Sequence, residues 1–208
     1  MVRRAAAEIE IGGRGVVPYV DRPTAAIVAA RNLRNGRAAV ALLSRLLQEG
    51  AVSVEALQGA RQRIGDKWCG PVDGALIAVG VGVRSPAEED MRRLILTSRT
   101  LPEPSWNQWL RLPDGGPDVC VDGLWADAGL VNEVIGKKYH AWGEQYDDTN
   151  ARKERLQAVG LIVAEATPIR IRRQGGVVLA NLERTYGLYA GRGMPPGVIL
   201  IDPPAMAA

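Results

Sequence analysis

The chain has little of what a zinc fold or a membrane protein requires. Its 208 residues include two cysteines, Cys69 and Cys120, and a single histidine, His140. The cysteines are far apart and form no CxxC pair, which argues against a structural zinc site and for buried, reduced thiols. No apolar run approaches the eighteen or so residues of a membrane span, and the start shows no charged-then-apolar leader with a cleavage site. The expectation is a soluble, cytoplasmic protein with no membrane partner. Gly12, Gly13 and Gly15 are followed by neither a P-loop Lys-Ser/Thr nor a full GxGxxG, so they argue weakly for a phosphate cradle. No internal repeat is present.

What is there is enough for a core. Apolar residues make up 47% of the chain, which suits one larger domain or two small ones. The net charge of +3 hides an asymmetry. Residues 1–84 hold twelve Lys/Arg against seven Asp/Glu, whereas residues 85–190 hold thirteen against fifteen. A basic first part beside a slightly acidic second part suits a DNA partner, although ordinary surface solvation gives the same sum.

Apolar spacing of three and four predicts helices over 24–33, 36–48 and 54–63, with a further helical run over 75–83. Before them, Ile9-Glu10-Ile11 reads as an edge strand. Residues 1–84 are therefore a basic, mainly helical unit whose Arg31, Arg34, Arg37, Arg45, Arg61 and Arg63 either track phosphates or form wet helix faces. A second unit, 85–190, opens on Ser85-Pro86-Ala87-Glu88, a capping box that starts a helix running to about Ser98. A strand over 106–112, a hairpin, a helix over 149–159, a strand over 161–166 and a helix over 177–189 follow. Layer logic makes this an α/β sheet with helices on its faces. The Pro/Ala-rich tail, 191–208, is expected to be ordered only where it docks.

The hairpin carries the chemistry. Val119–Trp125 and Gly129–Ile135 are β-rich runs around Ala126-Asp127-Ala128-Gly129. A loop of two or four residues centred between Asp127 and Ala128 places Asp122 directly opposite Glu133. Like charges there destabilise the pair, with Cβ atoms roughly 4.5–5.5 Å apart. A cation between them is required, and a divalent metal with oxygen ligands is the simplest candidate.

These residues carry a resemblance. Ser85 and Glu88, then Val121-Asp122, then Glu133 with Gly136 and His140, then Arg152, Leu156 and Gly160 resemble the Vsr-like (very-short-patch-repair-like) endonuclease domain over residues 85–186. That domain occurs in actinobacterial and phage proteins, often behind an AbiEi-antitoxin-like segment, to which the helical first unit is similar. The resemblance implies a restriction-endonuclease-like, PD-(D/E)XK-type αβββαβ(α) core. It implies a hydrolase that cuts DNA phosphodiesters, with Asp122, Glu133 and Glu88 holding Mg²⁺ or Mn²⁺ as metal ligands. Ile135 stands where the family has an Asp and the wider superfamily a Lys, with Lys137 or Lys138 as a replacement on the following residues. His140 would contact a phosphate or metal-bound water, and Tyr139 and Trp142 would stack on bases. Arg152, Lys153, Arg155, Arg170, Arg172 and Arg173 are phosphate-contact candidates. The alternative is a catalytically impaired, DNA-binding regulator or antitoxin-like protein, and a homo-oligomer is compatible with either.

Overall fold

A computed structural model describes residues 11–14, 17–33, 35–65, 69–136 and 144–203. It divides into two compact units, residues 1–89 and 90–208.

The first unit is helical after a short antiparallel ribbon, β1 (Ile11–Arg14) with β2 (Val17–Val20). The helices are α1 (Arg22–Asn32), α2 (Gly36–Gln48), α3 (Val54–Ile64) and α4 (Gly70–Gly80). Asp21, Asn35 and Ser53 cap the first three by accepting from backbone N–H groups at the second or third residue of the helix. The capping bonds from Thr24 hold the Asp21 carboxyl below its ordinary value. Ile27, Val40, Leu43, Leu57 and Val72 are fully buried. The helix α4 starts five residues before the expected 75–83 run, because Pro71 and Asp73 suit a first turn. It stops at Gly80, where Gly82 takes a φ of 100°. Several of the arginines are already paired: Arg61 with Asp73, Arg63 with Asp21 and Arg45 with Glu49.

The helix α5 (Pro86–Ile95) begins at the expected capping box. Ser85 Oγ accepts from Glu88 N at 3.2 Å, and Glu88 Oε2 accepts from Arg84 N at 2.8 Å. It ends at Ile95 rather than Ser98, in a turn where Thr97 Oγ1 donates to the Leu94 carbonyl.

The second unit is a five-stranded mixed sheet with helices, an α/β arrangement. Its strands are β3 (Ser105–Arg111), β4 (Val119–Trp125), β5 (Leu130–Val134), β6 (Ile162–Ala166) and β7 (Ile199–Ile201). Their order is β6-β5-β4-β3-β7, antiparallel except for the β5–β6 pair. The parallel pair is joined through α6 (Glu144–Ala158), as parallel strands require. After β6 come α7 (Pro168–Arg173) and α8 (Gly175–Tyr189). Leu110, Val121, Leu124, Val131, Leu156 and Leu161 belong to one buried cluster.

Two further features go beyond the expectation. The arginines after β6 lie on a short helix, capped by Thr167 Oγ1 accepting from Arg170 N. The tail, expected to dock only conditionally, adds β7 to the edge of the sheet, with Trp109 opposite Ile201 and Arg111 opposite Ile199. No described helix is long and apolar enough to cross a membrane.

Gly129 closes the four-residue hairpin loop at φ 59°, and a Cβ there would lie 2.9 Å from the Gly193 carbonyl oxygen. Replacement by Ala should therefore lower stability by about 1–2 kcal/mol or more, since the left-handed conformation alone costs that much. Urea unfolding of Gly129→Ala would measure it.

Candidate functional site: a carboxylate row met by helix cations

Strand register brings the acids together. β4 and β5 pair Trp125 with Leu130, Leu124 with Val131 and Gly123 with Asn132. One further rung in that register sets Asp122 opposite Glu133. On the other side, β5 and β6 pair Glu133 with Glu165. Paired residues project from the same face of a sheet, so Asp122, Glu133 and Glu165 form a row across three adjacent strands. Glu165 was not among the expected site residues. Its only signal in the sequence was a lone charge inside an apolar strand.

The row sits where the sheet is locally opened. The β3–β4 pairs Trp106 with Gly123 and Gln108 with Val121 bracket Asn107, which stands opposite Asp122. Asn107 has a φ of 50°, the only described non-glycine residue in the left-handed region. Asn tolerates that conformation better than most residues, yet it still departs from the ladder. On the neighbouring strand, Asp122 Oδ2 accepts from Val134 N at 2.7 Å. A side chain has taken a backbone donor here.

The cation between the acids comes from α6. Arg152 Nη2 donates to both Glu133 oxygens at 2.6 Å, and Lys153 Nζ donates to Glu165 Oε2 at 2.5 Å. Helical spacing explains the reach. Leu156 is 1% exposed and Val159 packs on the same core cluster, so the residue four positions before Leu156 lies over the sheet. Gly160, at φ 92°, ends the helix and Leu161 leads into β6. Burial pushes the Arg152 guanidinium down, but Glu133 by charge and hydrogen bond, then Asp122 and Cys120, outweigh it and hold its pKa above the ordinary value. It stays charged at any pH the fold survives.

The other expected residues fall as follows. Glu88 belongs to the first unit, 7% exposed, with one oxygen engaged in the helix cap. Lys137, Lys138, Tyr139, His140 and Trp142 lie outside the described residues. Ile135 extends the β5–β6 pairing through its N–H to the Ala166 carbonyl at 3.0 Å. Arg155 binds Asp114 through Nε and Nη2 at 2.8 and 3.0 Å and donates to the Pro117 carbonyl. Gly116 permits this, because a Cβ there would lie 2.3 Å from Arg155 Nη2. Arg172 lies 3.5 Å from Asp90, and Arg170 and Arg173 are exposed on α7.

The chain matches no protein-family model, no curated protein and no solved structure. The chemistry must therefore be read from the row itself. Among the described residues no group of three or more His, Cys, Asp and Glu is arranged around a single point as a metal shell would be. The acids lie in a line, with Glu133 and Glu165 each held by a cation and Asp122 by a backbone N–H.

Two measurements follow. Arg152→Met should lower stability by about 1.5–3 kcal/mol, the range for hydrogen bonds to charged groups, and Glu133→Gln in that background should recover part of it. A double-mutant cycle by denaturant unfolding gives the coupling. Arg155 holds the Asp114 carboxyl well down, at about 2. A depressed acid adds stability that is whole above its unfolded value of roughly 4 and is lost as pH falls toward 2. The melting-temperature gap between the native chain and Asp114→Asn should thus be widest near neutrality and shrink between pH 4 and 2.

Proposed function

We propose that residues 85–190 form a restriction-endonuclease-type unit acting on DNA phosphodiesters. The observation that carries this reading is the meeting of Asp122 and Glu133 on adjacent antiparallel strands, with Arg152 and Lys153 of α6 set against the same row. The element order α5, β3, β4, β5, α6, β6 also follows the αβββαβ plan that the Vsr-like resemblance implies.

The donors suit Mg²⁺ or Mn²⁺ in kind, since such an ion keeps several waters and needs only one or two carboxylates. Asp122 and Glu133 would hold it, with Glu165 next in the row. Bound there, the ion would lower the pKa of a water and offset charge on the phosphoryl oxygens. The protein's own part is positional. Asn107 opens the ladder beside Asp122, and Lys153 and Arg152 bring positive charge to the face where a phosphate would lie. In the superfamily a strand lysine two residues after the Glu does that, and here the position is Ile135. The α6 cations take over the task in this reading.

A second reading has its own support. Arg152 already holds both Glu133 oxygens, and Ile135 brings no polar group. A DNA-binding regulator that has replaced its metal by a guanidinium would look the same.

Incubating the full chain with supercoiled, single-stranded and mismatched DNA plus Mg²⁺ or Mn²⁺ separates the two. The nuclease reading expects cleavage that falls at least about a hundredfold in Asp122→Ala, the scale of losing a group that stabilises the transition state. Absence of cleavage with salt-sensitive binding that survives loss of both acids would leave the regulator. Absence of both would sink the two readings together.

A further inference from the structure

Asn132 is the residue next to Glu133 on β5, so alternation turns it to the opposite face of the sheet. It is 1% exposed, and neither its amide oxygen nor its amide nitrogen has a hydrogen-bond partner. A buried carboxamide left unpaired in both directions is uncommon in folded proteins and calls for a cause. Its rung neighbours are the small residues Gly123 and Ala164. Beside it lies a cavity of about 190 Å³, lined by the apolar Ala164, Ala166, Val178 and Leu182 and by the polar Asn132, Glu165, Arg170, Asn181 and Thr185. Among the described residues the Arg170 side chain makes no hydrogen bond or ion pair.

We propose that this cavity binds a nucleobase carrying a phosphate. Rotated out of its sealed position into the cavity, the Asn132 amide offers a donor beside an acceptor, which a simple anion, an acceptor only, does not complement. A nucleobase edge does, as in the two-bond pairing of Asn with adenine. The apolar part of the lining suits the face of a single ring system, and the volume leaves space for little more. Arg170 at the mouth takes the phosphate, for which a guanidinium fork is well shaped. The same chemistry is offered by a free mononucleotide and by an unstacked base of a nucleic-acid strand. The inference does not rest on the carboxylate row.

The test is titration of the full chain with AMP, GMP, CMP, UMP, adenosine, inorganic phosphate and a short single-stranded oligonucleotide, followed by calorimetry and thermal melting. At least one monophosphate should bind and raise the melting temperature, its nucleoside should bind about tenfold more weakly, and phosphate alone should have no effect. Arg170→Gln should remove that tenfold difference. Asn132→Leu fills the position without a polar group, so the chain should melt at the same or a higher temperature and lose the response. Ala164→Ile blocks the cavity by volume and serves as the second variant. A response to the oligonucleotide alone, lost in Asn132→Leu, assigns the ligand to a strand. No response to any nucleotide or oligonucleotide, or a response unchanged in both Asn132→Leu and Ala164→Ile, overturns the proposal. Asp122→Ala should bind as the native chain does, which keeps this outcome separate from the fate of the nuclease reading.

Discussion

Three carboxylates on neighbouring strands cannot stand in one row without positive charge among them. Unit charges about 5 Å apart repel by about 3 kcal/mol at an effective dielectric near 20. In this fold the compensation is delivered by one helix. Arg152 and Lys153 on α6 meet Glu133 and Glu165, while Asp122 turns to the Val134 N–H. The helix is fixed over the row just C-terminal to that contact. Leu156 anchors it in the core, and Arg155 ties it to Asp114 in the β3–β4 turn. If α6 moved by one turn, every one of these pairings would fail at once.

The same strand serves two faces. Leu130 to Val134 is five residues long, yet Glu133 meets Arg152 of α6 on one side and Asn132 lines a cavity on the other. This follows from the two-residue period of a strand and the presence of a helical layer on each face. A polar residue is expensive to bury on either side without a partner. Glu133 has its partner within the fold. Asn132 has none there, which is why the two faces invite different explanations.

Much of the hairpin was legible in the residues because its constraints are local. A four-residue loop ending in Gly129 sets the register, and the register sets the acids opposite each other. The need for a cation was legible as well. Its source was not, because Arg152 lies 19 residues from Glu133 and reaches it only after the β5–α6–β6 crossover has folded. The spacing Arg152, Leu156, Gly160 held that information in a form readable only once Leu156 was known to face the sheet. The strand β7 was lost for another reason: Val198 to Ile201 is a short apolar run in a proline-rich tail, and only its place beside β3 makes it a strand. The Asn107 conformation and the Asn132 cavity are products of tertiary packing, with no local pattern that announces them.

The position of Arg152 bears on both readings of the row. A guanidinium and a divalent ion seek the same Glu133 oxygens, so each lowers the occupancy of the other by direct competition. On the nuclease reading, Arg152 must swing toward the phosphate when the ion arrives, which makes it a switch between a stable closed row and a loaded one. On the regulator reading it never leaves, held by both Glu133 oxygens and by its tie through Leu156 to the core. The difference lies in whether a phosphate can repay the guanidinium for the carboxylate it gives up. Arg–phosphate and Arg–carboxylate pairs are of similar strength, so a bound strand makes the exchange nearly neutral, whereas a metal ion alone leaves the guanidinium without a partner. Metal and DNA should therefore bind this face cooperatively if the row is a nuclease centre, and independently if it is not.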